Sequence, residues 1–250
     1  MSRRNLVLLH GWGMHGGIWG EFGKILAAEF AVHCPNLPGY GGRASVSPYS
    51  LETLARTLRE ELPAGAAVLG WSLGGMVAQR LAALAPERVD KLILVGSSPR
   101  FCRDGEGEGD WVEAMAPAIL DAFEGQMRGD PGATLYRFLA IQALGGEDAR
   151  AQIALLKRFL GERPLPTEET LRQGLALLRH GDVRPHLARI SQPVCLIQGE
   201  QDTVVPASAA RRLASLLPNA ELHLLAGCAH APFLTRPEEV AGIVRAFLAS

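Results

Sequence analysis

Residues 66–75 of the chain read AAVLGWSLGG, and this stretch decides the fold. Its apolar first part predicts a buried strand at Ala66–Leu69, and the spacing of apolar residues from about Gly75 predicts a helix. Between the two lies the pattern Gly-x-Ser-x-Gly, whose glycines supply the small residues that a tight strand-to-helix turn needs. Such a turn lifts the side chain of Ser72 above the sheet, beside a helix N-terminus that favours negative charge. The stretch therefore predicts that Ser72 is a nucleophile.

Apolar runs alternate with segments of helical period along most of the chain. This alternation predicts an α/β fold, in which a mostly parallel sheet carries helices on both faces. The predicted strands are Leu6–Leu9, Phe30–Cys34, Ala66–Leu69, Leu92–Val95, Val194–Ile197 and Glu221–Leu225.

The alternation breaks in the middle of the chain, where helical segments follow one another without a convincing strand. We therefore expect residues 1–99 and 193–250 to form the core of the fold, and residues 100–192 to form an inserted helical cap. The cap opens with Asp104–Asp110, where acidic residues alternate with glycine. Such a segment buries little apolar area, so it is predicted to be a mobile loop at the edge of the cap.

The composition limits what the protein does. The chain has 250 residues, 48% of them hydrophobic, and a formal net charge of −1. These values predict a globular protein without a global field for nucleic acid or anionic membrane. Its four cysteines are far apart and lack a Cys-x-x-Cys pair, so neither a zinc site nor a disulfide framework is expected. The apolar run near the N-terminus is too short for a signal peptide, and no run is long enough to span a membrane. We expect a cytoplasmic monomer that needs no metal and no cofactor.

A nucleophilic serine needs a histidine to take its proton and a carboxylate to orient that histidine. After an elbow of this kind the carboxylate precedes the histidine in the chain. His230 follows the last predicted strand and Asp202 follows the one before it, so both fall at the carboxyl ends of strands. Asp202 is favoured because it opens a tight turn into the next helix, while Glu200 and Asp182 remain alternative acids. Cys228 lies beside His230 but lacks an elbow, and the role of a small buried side chain is favoured for it.

The oxyanion of a tetrahedral intermediate needs hydrogen-bond donors. With this type of elbow, they are the N–H after the nucleophile and an N–H from the loop after an early strand. Those residues are Leu73 and Trp12. The glycines of His10–Gly13 permit the close backbone approach that such a loop requires. His10 is expected to brace the loop and not to act as an acid or base.

These motifs together resemble one large family. The loop His10–Gly13, the segment Asn36–Gly41, the elbow, Asp202 and His230 are similar to the α/β-hydrolase superfamily over nearly the whole chain. More narrowly, the sequence resembles the pimeloyl-acyl carrier protein methyl ester esterases (the BioH family) of biotin synthesis. The segments that carry this narrower resemblance are Leu8–Gly13, Gly70–Gly75, Pro86–Val89, Ser97–Pro99, Arg137–Gln142 and Ala229–Phe233.

The narrower resemblance implies hydrolysis of a methyl ester at the distal end of a pimeloyl chain that is carried on acyl carrier protein. It also implies that Trp12, Leu73 and the cap segment Phe138–Gln142 contact the substrate. The alternative for that segment is the buried stripe of a cap helix. The segment consists of Phe138, Leu139, Ala140, Ile141 and Gln142.

Acyl carrier protein is acidic, so the resemblance implies a basic surface on the cap. Arg150 and Lys157 share one face of a predicted helix, and Arg137 and Arg158 lie nearby. These four residues are the candidates for that surface. The alternative is an ordinary solvated face that acidic neighbours balance. The acidic neighbours are Glu147, Asp148 and Glu162.

The chain departs from the family pattern in three places. Asn36 stands where the family usually has aspartate, and the acidic glycine loop after Arg103 is longer than expected. The antiparallel strands that usually precede the first strand are expected to be shortened or absent.

Two competing functions stay open. One is a broad-specificity carboxylesterase, or another capped hydrolase with the same triad. The other is a non-catalytic ligand-binding protein, against which the intact triad and oxyanion loops argue.

Overall fold

A computed structural model describes residues 3–105, 107 and 109–250 of the chain. The strands are β1 (Asn5–Leu9), β2 (Ala31–His33), β3 (Ala66–Trp71), β4 (Val89–Val95), β5 (Val194–Gly199) and β6 (Ala220–Leu225). They form one sheet in the order β2-β1-β3-β4-β5-β6, and every strand pairing within the described residues is parallel. All carboxyl ends therefore meet at one edge of the sheet, and the predicted α/β class is confirmed.

The helices occupy the connections between the strands. They are α1 (Gly20–Ala27), α2 (Leu51–Glu61), α3 (Leu73–Leu84), α4 (Pro117–Met127), α5 (Pro131–Ala143), α6 (Ala149–Gly161), α7 (Glu168–His180), α8 (Ala207–Leu216), α9 (Pro232–Thr235) and α10 (Pro237–Ala249). Helix α1 packs against α10, and α2 packs against α3. None of the helices in the described part of the chain is long and apolar enough to cross a membrane.

The central strand β3 is longer than its sequence predicts. The prediction ends the strand at Leu69, whereas β3 continues to Trp71, and all its residues are buried. Continuous burial is typical of a parallel strand that is covered on both faces. Helix α3 begins at Leu73 and not near Gly75. The whole change of direction therefore takes place at Ser72, and the turn is tighter than predicted.

The other strands also differ from their predicted bounds, and β2 and β4 are examples at the start of the strand. The prediction for β2 covers Phe30–Cys34, but only Ala31–His33 pair with β1, and all of them are half-buried. This strand lies at the edge of the sheet, so it is hydrogen-bonded to a neighbouring strand on one side only. The prediction for β4 starts at Leu92, but the strand begins at Val89 because Val89 pairs with Ala66 of β3.

Residues 100–192 lie between β4 and β5, and we call them the cap segment. Its described residues contain α4 to α7. In α6 the buried residues recur at helical spacing, so one stripe faces inward and the rest faces solvent. The bounds of the cap segment as a domain stay a prediction. The predicted mobile loop at Asp104–Asp110 includes Glu106 and Glu108, which lie outside the described residues.

Candidate active site

The turn between β3 and α3 holds Ser72 in a rare backbone conformation. Its φ angle is 56°, and it is the non-glycine residue of the described chain with positive φ. Such strain persists only where the surrounding structure imposes it, and it clusters at functional sites. A Cβ atom at Gly74 would lie 2.3 Å from the carbonyl oxygen of Leu9, and one at Gly70 would lie 2.5 Å from that of Gly74. The two glycines are therefore required because backbone passes within contact distance on both sides of the turn.

Three side chains from different loops form a hydrogen-bonded chain at the carboxyl edge of the sheet. Nε2 of His230 lies 2.9 Å from Oγ of Ser72, and Nδ1 lies 2.8 Å from Oδ2 of Asp202. The exposed fractions of the three residues are 1% for Ser72, 5% for Asp202 and 0% for His230. Because a carboxylate only accepts, Nδ1 carries the imidazole proton and Nε2 is left to accept from the serine hydroxyl. This arrangement can transfer a proton away from Ser72.

The carboxylate of Asp202 is held on both of its oxygens. Oδ1 accepts hydrogen bonds from the backbone N–H groups of Val204 and Val205, at 2.8 and 2.9 Å. Oδ2 accepts from Nε2 of Gln198 at 2.8 Å, besides its contact with His230. The tight turn after β5 thus orients the carboxylate toward the imidazole. Sequence reasoning recognised the turn but not Gln198, which is a polar residue inside a buried strand.

The alternative residues lie elsewhere. Glu200 is exposed, and the carboxylate of Asp182 pairs with the guanidinium groups of Arg184 and Arg100. Burial raises the pKa of the Cys228 thiol, which disfavours the thiolate that a nucleophile needs. Of the acids weighed from the sequence, Asp202 is the one that contacts the imidazole.

The loop after β1 lies directly against the turn. A Cβ atom at Gly11 would lie 3.2 Å from Cβ of Ser72, so the loop backbone passes beside the nucleophile. Nε2 of His10 accepts a hydrogen bond from the N–H of Leu37 at 2.9 Å, and Nδ1 therefore donates to the carbonyl of Gly11 at 2.9 Å. Burial lowers the pKa of His10 to about 3, so the ring is neutral and can accept. These contacts fit the predicted bracing role.

The two predicted oxyanion donors belong to the two segments that meet at Ser72, the start of α3 and the loop after β1. Leu73 is the first residue of α3, where the backbone N–H groups have no partner within the helix. Trp12 follows Gly11 in the loop after β1. An oxyanion bound near both backbone N–H groups would also lie at the positive end of α3.

Helices of the cap segment cover this edge of the sheet. The indole Nε1 of Trp12 donates to the carbonyl oxygen of Leu171 in α7 at 2.9 Å. The ring of Phe138 in α5 packs edge-on against Trp12, with centroids 4.8 Å apart. A Cβ atom at Gly174 would lie 2.5 Å from the indole ring of Trp12, so α7 approaches very closely. The near-complete burial of Ser72 follows from this cover.

The residues of the predicted substrate segment, Phe138–Gln142, do not all lie on one face of α5. Phe138, Leu139 and Gln142 are buried, whereas Ala140 is exposed and Ile141 is half-buried. A helix turns by about 100° per residue, so five successive residues cannot share one face. Ala140 and Ile141 instead line an apolar groove of about 470 Å³ between α5 and α4. Trp71, the residue before Ser72, packs against Phe233 in an edge-on contact.

The comparison with protein families agrees with this geometry. A family model described as the alpha/beta hydrolase fold matches residues 4–237. The chain belongs to the α/β-hydrolase family. The resemblance and the fold predicted from the sequence are thereby confirmed.

Several relatives of this α/β-hydrolase carry one name, pimeloyl-[acyl-carrier protein] methyl ester esterase. The protein of that name from Photobacterium profundum is 41% identical over 244 residues, which cover 98% of this chain and 94% of the relative. The one from Nitrosomonas europaea is 41% identical and covers 94% of this chain and 92% of its own length. The narrower resemblance is also confirmed.

Solved structures share the fold at lower identity. An esterase from Exiguobacterium antarcticum superposes with a TM-score of 0.87 at 22% identity, covering 100% of this chain and 93% of that chain. The esterase RhEst1 from Rhodococcus sp. ECU1013 gives a TM-score of 0.77 at 27% identity, covering 99% and 91%. The first of these similarities shows the fold alone.

Main-chain contacts from the cap segment support the histidine of this hydrolase, and the sequence does not reveal them. The carbonyl oxygen of Gln142, near the end of α5, accepts from the N–H of His230 at 3.0 Å. The same oxygen accepts from Nε2 of Gln152 in α6 at 2.9 Å. In addition, Oγ1 of Thr203 donates to the carbonyl of Ile141 at 3.1 Å. The one sequence signal is Gln152 itself, a polar residue on the buried stripe of α6.

No residue of this active site belongs to a group of three metal-ligating side chains within the described residues. The one such group lies on β5 and β6, with Cys195 toward the beginning of β5. The hydrogen-bonded chain joins a serine, an imidazole and a carboxylate, and this set of groups is able to carry out acyl transfer.

Proposed function

We propose that this α/β-hydrolase is a serine carboxylesterase that hydrolyses the methyl ester of pimeloyl-acyl carrier protein methyl ester in biotin synthesis. The observation that carries the chemistry is the hydrogen-bonded chain from Asp202 through His230 to Ser72. The observation that carries the substrate is the shared name of relatives that are 41% identical over nearly the whole chain.

In the first half of the reaction, Oγ of Ser72 attacks the ester carbonyl carbon while its proton moves to Nε2 of His230. The carboxylate of Asp202 stabilises the imidazolium that forms. The tetrahedral intermediate places its oxyanion toward the N–H groups of Leu73 and Trp12. Collapse breaks the bond to the methoxy oxygen, which takes the proton from His230 and leaves as methanol. The product of this half is an acyl-enzyme on Ser72.

In the second half, a water molecule attacks the acyl carbonyl and gives a proton to Nε2 of His230. The second tetrahedral intermediate uses the same oxyanion donors. Its collapse breaks the bond to Oγ of Ser72, which recovers its proton from the imidazolium. The free carboxylic acid then ionises in water, and the enzyme returns to its starting state.

The neighbourhood of Ser72 suits an apolar acyl chain that ends in a neutral ester. The aromatic rings of Trp12 and Phe138 pack against each other there, and Leu139, the next residue of α5, is also buried. A carboxylate left unpaired in such surroundings is unfavourable, so the product is expected to leave. Among the predicted contacts we propose Trp12, Leu73 and Phe138 as those nearest the reacting ester. Ala140 and Ile141 then line the approach from the groove against α4.

The basic residues of the cap segment support docking of an acidic carrier. Arg137, Arg150, Lys157 and Arg158 are exposed, and none of them forms an ion pair within the described residues. Of the acidic neighbours weighed against this surface, Glu147 pairs with Arg236 of the core at 3.2 Å. Its charge is therefore balanced in part by Arg236. We propose this surface as the docking site for acyl carrier protein.

The carrier site is tested by the double substitution Arg150→Glu with Lys157→Glu. We expect kcat/KM for the carrier-bound substrate at low salt to fall roughly tenfold, because charge complementarity accelerates association. Activity on a small soluble methyl ester should be unchanged. The matched control is Lys24→Glu with Arg211→Glu, which makes the same charge change on α1 and α8. Equal effects of both pairs would contradict a local docking site.

The function is tested by complementation of biotin-requiring cells that lack their own esterase. The wild type should restore growth, Ser72→Ala should not, and the exposed Ser191→Ala should behave as the wild type. In parallel, a fluorophosphonate probe should label the wild type and Ser191→Ala but not Ser72→Ala. Labelling without complementation would indicate a carboxylesterase with another substrate. If Ser72→Ala were labelled as strongly as the wild type, the assignment of Ser72 as the nucleophile would be wrong.

A further inference from the structure

Three chemically reactive side chains come together on the two last strands of the sheet. Cys195 of β5 pairs in register with Glu221 of β6. His223 lies two residues further along β6 and therefore on the same face of the sheet. One ligand atom from each of the three residues lies within 4.8 Å of the others. Nε2 of His223 is 3.1 Å from Oε1 of Glu221.

The three side chains differ in their exposure to solvent. The side chain of Cys195 is buried, whereas those of His223 and Glu221 are 37% and 50% exposed. Cys195 pairs in register with Ile93 of β4, and Lys91 on the same face of β4 donates to the backbone of α10. The group thus lies on the face that α10 covers, at the margin next to the edge strand β6. The thiol forms the floor of a site whose carboxylate and imidazole reach solvent.

We propose that Cys195, Glu221 and His223 bind a zinc ion. A thiolate, an imidazole and a carboxylate are the protein ligands that zinc accepts, and a water molecule would complete the tetrahedron. Metal–ligand distances of about 2.0–2.3 Å place ligand atoms roughly 3.3–3.8 Å apart, so small side-chain rotations suffice. A thiolate in the set disfavours magnesium and calcium, which prefer oxygen ligands.

Binding of the ion must remove the thiol proton. As the bond from sulfur to zinc forms, the S–H bond breaks and the proton passes to solvent. Burial and the neighbouring carboxylate of Glu221 raise the pKa of the Cys195 thiol, so without metal it is protonated. The ion would then join the edge strand β6 to β5. Because the ligands meet only in the folded chain, zinc should stabilise the folded state.

Cobalt(II) is the probe, because a bond from thiolate to cobalt gives a charge-transfer band in the near ultraviolet. The experiment uses the Cys34→Ser variant as the parent for comparison. This substitution removes the exposed thiol that follows the edge strand β2, at the opposite side of the sheet. We expect one equivalent of cobalt to produce the band and zinc to displace it. The band should be absent in Cys195→Ser. The affinity of His223→Ala should fall at least about tenfold, since removing a group that only supports a metal ligand already has that effect.

Zinc should also raise the thermal unfolding temperature of the parent but not that of His223→Ala. This second variant matters because Cys195→Ser changes a buried residue, and its fold is checked by circular dichroism. The half-exposed His223 can be replaced without disturbing the core. The proposal is wrong if the parent gives no charge-transfer band, if the band persists in Cys195→Ser, or if His223→Ala binds zinc as tightly as the parent. None of these outcomes depends on the esterase assignment.

Discussion

Strand β3 leads into Ser72, and helix α6 packs against α5 in the cap segment, yet β3 and α6 are buried very differently. All 6 residues of β3 are buried. Of the 13 residues of α6, those that are buried form one stripe, Gln152, Leu156, Phe159 and Leu160. A strand enclosed on both faces has no position that can change freely, whereas a surface helix is constrained along one side.

This contrast suggests that the core and the cap segment have different roles in activity. The proposed chemical groups stand on loops at the carboxyl edge of the sheet, and the enclosed strands β3 and β5 hold two of them, Ser72 and Asp202. The cap segment reaches them through a few aromatic contacts and main-chain hydrogen bonds. We therefore expect changes in the core to abolish or weaken the chemistry, and changes in the cap segment to alter rate and substrate preference more gently.

The largest effect should come from the acid. Asp202→Asn should lower kcat about ten-thousandfold, because an amide neither fixes the required imidazole tautomer nor stabilises the imidazolium. Glu200→Gln and Asp182→Asn, which alter the alternative acids, should stay near the wild-type rate. Steady-state hydrolysis of a soluble methyl ester provides the measurement. If Glu200→Gln lost as much activity as Asp202→Asn, the assignment of the acid would be wrong.

Glycine substitutions should separate the two regions by the sign of their effect. Gly74→Ala places a Cβ atom 2.3 Å from the carbonyl oxygen of Leu9, so we expect a loss of about 1–3 kcal/mol in the free energy of unfolding. Gly125→Ala in α4 meets no atom within 4 Å and should stabilise by up to about 1 kcal/mol. Urea titration measures both. Equal destabilisation would remove the contrast between core and cap segment.

The buried side chain of His10 should make stability depend on pH. The folded chain lowers the pKa of His10 to about 3 from an ordinary value of 6.5, so between these values the unfolded chain binds the extra proton. Stability should therefore fall as the pH falls below 6.5, with a contribution of up to about 1.4 kcal/mol per pH unit. His10→Gln should reduce this slope, and an unchanged slope in this variant would contradict the prediction. Unfolding titrations at several pH values would show it.

The smallest effect should come from the support that the cap segment gives to His230. Gln152→Ala removes a buried hydrogen bond to the carbonyl of Gln142, and a net worth of about 0.5–1.5 kcal/mol predicts a decrease in kcat of a few-fold to tenfold. KM should change little, because Gln152 acts as a positioning residue. Gln152→Glu cannot donate and should not restore the rate. Gln173→Ala, which removes an exposed hydrogen bond to Glu169 on α7, is the control, and an equal loss there would argue against positioning.

Much of the candidate site could be predicted from local sequence. The elbow around Ser72 has its own signature, because only small residues allow backbone to pass on both sides of such a turn. The loop of Asp202 was recognisable from its turn, and His230 from its place after the last strand. The start of α3 was misplaced because periodicity locates the middle of a helix better than its first residue.

The contacts of the cap segment were far less predictable. The segment Phe138–Gln142 was assigned to the substrate as a block, although its residues divide between the interior and the groove against α4. The carbonyl of Gln142 and the hydroxyl of Thr203 make contacts that depend on where two distant loops meet. A backbone carbonyl has no residue identity, so no pattern of side chains could indicate its partner.

The sequence by itself determined the α/β class, the family and the residues proposed for acyl transfer, because each depends on a local pattern of turn, strand and helix. Only the tertiary structure decided what lies between those patterns. It brought the end of α5 against His230, buried Ser72 beneath the cap segment, and joined Cys195 to Glu221 and His223 across two strands. Such contacts arise from strand register and helix packing, which bring together residues that are far apart in the chain. The spacing of residue types along the sequence therefore does not indicate them.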